Sequence, residues 1–436
     1  MLRKRIQLSL IHVAVAMTLV RINSTLNRVM IKEMALSATL VAVLASLPYI
    51  FSPLQMVIGN YSDRHPWLGY RRTGYIALGL LMCVAGVSLA PLAVFLMPEN
   101  RWLGLGLSVL VFGIWGVGMN VASVSYMSVA SEISDPKGRS RTISIMWFVM
   151  ITGIILTAAT LGRLLEDYTP AKLETAFLVV ALAALALGLL GLIGLEDRHK
   201  TAANQPAPVR KSWRELGAAV LGNPQARHFF IYLIILLAAI LGQDVLLEPY
   251  AGQAFNLPVS ATTRITSIWG TCFLVALLVA GFLERRMGKR GVAALGGWTA
   301  AAAFIAIAAS GPLELKSLFY SGVVVLGLGT GLSTVSNLSL MLDMTTVRVG
   351  LFIGAWGMAE AMARGLGALL SGGLRDVFGA LTQNAVLGYV VVFGVQAGMM
   401  LATLLMLQRI DVAGFQQEAA PLDAMERAAL VNEAGG

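Results

Sequence analysis

Apolar stretches long enough to cross a bilayer recur from one end of this 436-residue chain to the other. That recurrence leaves few folds open. A hydrocarbon core offers the backbone no water, so each crossing segment must satisfy its own N–H and C=O groups, which a helix of about 20 apolar residues does. The chain is 57% hydrophobic and 13% charged, whereas soluble domains carry about 25% charged residues. The sequence therefore predicts an all-α, polytopic membrane protein.

Spans are expected at roughly 7–30, 37–60, 73–97, 102–130, 142–165 and 173–195, then at 228–249, 262–284, 291–310, 314–340, 350–372 and 384–408. The longest polar interruption, 196–226, carries Glu196, Asp197, Arg198, His199, Lys200, Arg210, Lys211 and Arg214. It separates an N-terminal six-helix half (1–195) from a C-terminal one (227–408), with a polar tail over 409–436. Arg3, Lys4 and Arg5 before the first apolar run resemble the start of a signal peptide. No small-residue cleavage site follows, so the run reads as an anchor helix.

The net charge of +9 sits in short loops, where it sets orientation rather than binding nucleic acid. With the N-terminus cytoplasmic, alternate loops hold Arg64, Arg71 and Arg72; Lys137, Arg139 and Arg141; the central stretch; Arg285, Arg286, Lys289 and Arg290; and Arg348. The opposite loops hold only scattered cations such as Lys32, Arg101, Lys172, Lys316 and Arg375. Both termini are expected in the cytoplasm. Cys83 and Cys272 fall in apolar runs, where a free thiol acts as a small hydrophobe.

The halves repeat. Gly59-Asn-Tyr-Ser-Asp63-Arg64, then Gly69-Tyr-Arg71-Arg72, follows the second span. Gly281-Phe-Leu-Glu-Arg285-Arg286-Met-Gly288-Lys289-Arg290 follows the eighth. Two six-helix halves with a shared loop motif resemble the parallel repeat of the major facilitator superfamily. In that resemblance Asp63 caps a neighbouring helix, and Arg72 pairs with Glu132 or Asp135. Two transporter signatures are absent: an arginine inside the fourth span after Arg101, and a proline in the fifth.

Polar groups inside a membrane are costly and need a reason. Arg21 lies well inside the first span, with Asn27 and Arg28 near its end; Gln243, Asp244 and Glu248 crowd the end of the seventh. Asp244 and Glu248 read either as interfacially solvated or as part of a site. Glu360 and Arg364, four apart on the eleventh span, can pair on one helix face. They serve either structure or substrate. His12 is the histidine in the body of a span, either bonded to a neighbour or free to ligate a chlorophyll magnesium. Trp115, Trp147, Trp269 and Trp356 either pack between helices or wall a groove for a flat ligand.

Four stretches go beyond a generic facilitator: Gln243-Asp244-Val-Leu-Leu-Glu248-Pro249-Tyr250-Ala-Gly252 with Thr262-Thr263-Arg264; Gly350-Leu-Phe-Ile-Gly354-Ala-Trp356-Gly357 running to Ala363-Arg364-Gly365; Thr25-Leu26-Asn27-Arg28-Val-Met30; and Gly138-Arg139-Ser-Arg141 leading to Met146-Trp147. Together they resemble the PucC family of phototroph membrane proteins. The resemblance implies an assembly factor for light-harvesting antenna complexes, with bacteriochlorophyll or chlorophyll as bound cargo. It also implies membrane lipid, antenna polypeptides and pigment-synthesis or insertion machinery as partners, and an inner or intracytoplasmic photosynthetic membrane as location. A homo-oligomer stays open. Some relatives carry a synthase label, but prenylating a chlorophyllide needs an Asp-rich, magnesium-holding cluster. Asp63, Asp135, Asp244, Asp343 and Asp376 are scattered, so no enzyme and no protein metal site are expected. The competing reading is a secondary transporter of a tetrapyrrole or another amphipathic solute, working through Arg21, Asp244, Glu360 and Arg364.

Overall fold

The computed structural model describes residues 2–67, 69–133, 139–196, 224–343 and 349–410. The linker and tail expected at 196–226 and 409–436 fall largely outside them, as do Asp135, Lys137 and Arg348. The side chains of Asp63, Arg139, Arg141 and Trp356 are also outside the description.

Nine helices among the described residues are long and apolar enough to cross a membrane. The first span is Leu2–Glu33; the third to seventh are Thr73–Phe95, Arg101–Glu132, Arg139–Leu164, Pro170–Leu192 and a helix starting at Pro224; the tenth and twelfth are Lys316–Asp343 and Ala385–Leu407. One long helix, Val259–Ser310, holds the eighth and ninth spans, joined where Gly288 leaves helical geometry. The second crosses in two pieces, Ala38–Ile50 and Leu54–Arg64, and the eleventh is Val349–Thr382. Among the described residues these helices amount to twelve crossings, six on each side of 197–223.

Four even-numbered spans start with a side-chain cap. The Ser37, Asn100, Thr169 and Asn384 side chains accept from the backbone N–H of Leu40, Leu103, Lys172 and Val386. All four lie on the face away from the termini, called here the far face. On the near face Glu196 accepts from the backbone N–H of Arg71, Arg72 and Thr73, each at 3.0 Å, and so caps the third span. Glu196 had been assigned to the linker; it closes the first half instead. Arg72 lies 3.6 Å and Arg71 3.4 Å from Glu132. Glu132 is one of the two expected acids.

Two features carry the internal repeat into three dimensions. Gly69 and Gly288, in equivalent places of the motif, both have positive φ, +79° and +74°, a region open to glycine. In the first copy this is a turn closed by Trp67 and Tyr70. In the second the chain stays helical on both sides, so the expected loop at 281–290 is a single kink. The third and fourth spans approach through Gly79 and Gly118, and the ninth and tenth through Gly296 and Gly329. A Cβ at Gly79 would stand 2.5 Å from the backbone N of Ala122, and one at Gly296 2.6 Å from that of Ser333. Backbones this close give helices in lipid their packing energy.

The seventh span departs from its expected end. Pro224–Gly242 leads into a single 3₁₀ turn, Gln243–Val245, and a new helix runs over Leu247–Phe255. Pro249 falls in the first turn of that helix, where a missing N–H breaks no bond. The span therefore ends six residues later than 249, at Phe255, and carries Glu248 inward.

Candidate functional site

The described hydrogen bonds and ion pairs that cross between the halves lie from mid-membrane to the far face. Asp376 of the eleventh span accepts from the backbone N–H of Ala38 and Thr39 at 3.0 and 2.7 Å, capping the second span across the seam. Lys32 donates to Asn256 at 2.7 Å and to the Gly252 carbonyl. Arg28 pairs with Glu33 and donates to the Leu257 carbonyl at 2.9 Å. Arg264 pairs with Glu166, Thr25 meets Thr263 at 3.2 Å, and Ser267 donates to the Ile155 carbonyl at 3.0 Å. The described bonds across the seam thus gather from mid-membrane to the far face.

At the inner limit of these bonds lies a charged cluster. Arg364 holds Glu360 at 3.1 Å and Asp244 at 3.5 Å, and its guanidinium sits 5.7 Å from the Tyr49 ring centroid. Gln243 donates to Asp244 at 2.7 Å. A small cavity of about 10 Å³, room for about one water, is lined by Asn23, Tyr49, Asp244, Val245, Arg364 and Ala368 beside the group. Each charged member keeps about a quarter of its side chain accessible, 25 to 26%. The i, i+4 pair predicted on the eleventh span is thus one side of a triad, completed by an acid 120 residues away. The break at Gln243–Val245 turns Asp244 toward it; broken helices in membrane transporters commonly expose polar groups this way.

The other candidates separate. Arg21 is fully buried and donates to the carbonyls of Phe177 at 2.7 Å and Met17 at 3.3 Å, tying the first span to the sixth inside one half. The structure leaves it outside the cavity. Asn27 is also fully buried, with neither side-chain polar atom hydrogen-bonded among the described residues. Glu248 is 3% exposed, so the interfacial-solvation reading does not hold for it. The longer seventh span places it under the bonds across the seam.

His12 is 7% exposed, with its ring 5.3 Å from that of Tyr126 and 6.3 Å from that of Trp147. Its Nδ1 has no hydrogen-bond partner among the described residues. Trp115 is core: its Nε1 donates to Thr18 at 3.0 Å and the ring is fully buried. Trp269 packs on Phe273, centroids 5.1 Å apart. Trp356 lies outside the described side chains. Sequence reasoning missed Asn23, Tyr49 and Asp376. Asn23 was a visible polar residue in an apolar run, whereas nothing local marked Tyr49 or Asp376.

The chain matches the family profile described as "PUCC protein" over residues 25–415. It is 30% identical over 423 residues to Protein PucC of Cereibacter sphaeroides, covering 93% of this chain and 91% of that one. A Rhodobacter capsulatus protein named bacteriochlorophyll synthase 44.5 kDa chain is 30% identical over 403 residues, 90% of this chain and 91% of its own. Among solved structures, the nucleoside transporter NupG superposes with a TM-score of 0.70 at 15% identity, over 93% of this chain and 98% of that one. At that identity the likeness carries the fold, a major facilitator arrangement, and no substrate.

Proposed function

The chain belongs to the PucC family, and from that membership we propose that it is an assembly factor for light-harvesting antenna complexes which holds bacteriochlorophyll or chlorophyll in the membrane. Its partners in this reading are antenna polypeptides and the pigment-synthesis or insertion machinery. Its place is the inner or intracytoplasmic photosynthetic membrane, with both termini cytoplasmic, as the loop cations argue. The synthase in one relative's name is not carried over, because the acids a magnesium diphosphate would need are dispersed along the sequence.

The observation that carries pigment handling is His12. Its buried Nδ1 lacks a hydrogen-bond partner among the described residues, and a neutral imidazole is a ligand for a chlorin's magnesium once the neighbouring Tyr126 and Trp147 rings part to admit it. His12→Phe keeps an aromatic of similar breadth and removes the nitrogen. It should lower the pigment that co-purifies with the protein severalfold while leaving yield and monodispersity intact. Unchanged pigment content, read from the absorbance of the purified variant, dismisses the role.

A second reading, a secondary transporter of a tetrapyrrole or another amphipathic solute, draws support from one observation. The Asp244–Arg364–Glu360 triad sits at mid-membrane beside a small cavity between the two halves. Concentrative uptake into vesicles that Glu360→Gln abolishes is the outcome this reading expects. No flux with any tetrapyrrole tested counts against it.

A further inference from the structure

Three acids are buried or half-buried along the seam between the halves: Asp244, Glu248 and Glu360. Arg364 serves two of them. The next guanidinium, Arg28, pairs with Glu33 and the Leu257 carbonyl and keeps its Nε without a partner among the described residues, and Arg21 faces the sixth span. No basic group comes within ion-pair distance of Glu248 among the described residues. A buried carboxylate without a counter-charge is strongly disfavoured, because its lost hydration is not replaced. Something positive must therefore share the site.

The geometry around Glu248 points to what that is. Its Oε1 accepts from the Thr266 hydroxyl of the eighth span at 2.6 Å, and its Oε2 has no partner. Ser24 of the first span interacts with this carboxylate, and the charges of Arg28 and Asp244 act on it. Yet the Ser24 Oγ reaches no acceptor or donor at hydrogen-bond geometry, and neither does the Gln243 Oε1 at the helix break. The surroundings are thus open oxygens and one further acid, and the Arg28 guanidinium acts on the carboxylate without forming an ion pair with it. The segments that supply them are irregular: Arg21–Leu26 of the first span is π-helical, and the seventh span restarts at Leu247. π turns gather at functional sites, and interrupted membrane helices hold sodium ions and protons.

We infer that Glu248, with Ser24 and Thr266, seats a monovalent cation, either a sodium ion or a proton, and that filling this seat holds the far-face seam closed. A cation there joins the first, seventh and eighth spans, and so bridges the two halves. Losing it leaves a bare carboxylate facing Asp244, which favours parting of the seam and entry of water. The inference rests on the fold and the seam, and stands whether or not the chain carries pigment.

The test uses the full-length protein in detergent. Melting of wild type and Glu248→Gln is followed as NaCl replaces choline chloride at constant ionic strength, and separately across pH. If the seat takes sodium, wild type gains several degrees with NaCl. If it takes a proton, wild type gains as pH falls and NaCl does nothing beyond choline. In both cases Glu248→Gln loses the response. A wild type indifferent to both, or a variant that responds like wild type, overturns the proposal.

Because Glu248→Gln could fail to fold, a second readout uses T263C in a C83A/C272A background, Thr263 being fully buried at the seam. Labelling by a polar maleimide, taken relative to a solvent-exposed cysteine at the same pH so that the thiolate fraction cancels, should slow roughly tenfold at a cation concentration ten times its dissociation constant. Labelling that ignores sodium and pH alike also overturns it.

Discussion

Arg364→Met should cost the protein most of its recoverable folded yield. The substitution keeps length and apolar bulk but leaves Asp244 and Glu360 facing each other without the cation that joins them. Removing one partner of a buried ion group costs about 3–5 kcal/mol, because the remaining charge stays desolvated. Here two charges of one sign remain. The contacts to Tyr49 and Gln243 offer no positive charge to offset them. The triple substitution Asp244→Asn, Glu360→Gln, Arg364→Met removes the imbalance with little change of volume. It should restore yield and monodispersity on size exclusion, since neutral replacements of buried ion groups are often tolerated. If the single variant is as stable as wild type, the triad is solvated in the membrane and its central place in the seam is wrong. If the triple variant folds but no longer supports antenna formation in cells, the triad is functional as well as structural.

Gly79→Val and Gly296→Val should each be nearly as damaging, for a different reason. Both glycines let two spans touch backbone to backbone: a Cβ at Gly79 meets the Ala122 N and Gly118 carbonyl O, and one at Gly296 meets the Ser333 N and Gly329 carbonyl O. Backbone atoms inside a packed helix cannot swing aside as a long side chain can. The third and fourth spans, or the ninth and tenth, must then separate. Overpacking costs about 1–3 kcal/mol in soluble cores. Here the loss extends along a whole helix pair, because close approach is the main source of helix association in lipid. A sharp fall in melting temperature is expected for both. Gly398→Val, on a lipid-facing position with nothing within 4 Å, should melt like wild type. Equal behaviour of all three variants would show that the pseudo-equivalent contacts do not support the two halves.

Much of this architecture was legible because hydrophobic length is a local property. The crossings and their division into two groups follow from runs of apolar residues alone. The repeat was legible from Gly69 and Gly288, whose positive φ is a demand only glycine meets cheaply. The Glu360–Arg364 pair was legible from its i, i+4 spacing. What lay hidden was set by tertiary contact. Asp244 joins that pair across 120 residues and Asp376 caps a helix 338 residues away, so neither partner can be read from spacing. The end of the seventh span was misplaced because the apolar run weakens at 249, whereas the helix that restarts at Leu247 carries the chain on to Phe255. Trp115 and Trp147 looked alike in the sequence. One is fixed in the core by Thr18, and the other stands beside His12.

The measurement that bears most directly on the proposed role is a whole-cell near-infrared absorbance spectrum of a strain with this gene deleted, grown phototrophically or semi-aerobically. The assembly reading predicts loss of one antenna band while reaction-centre absorbance and free pigment persist, with recovery on re-expression of the wild-type chain. Unchanged antenna bands would contradict it and favour the transporter, and loss of all bacteriochlorophyll would contradict it from the other side and restore a biosynthetic role.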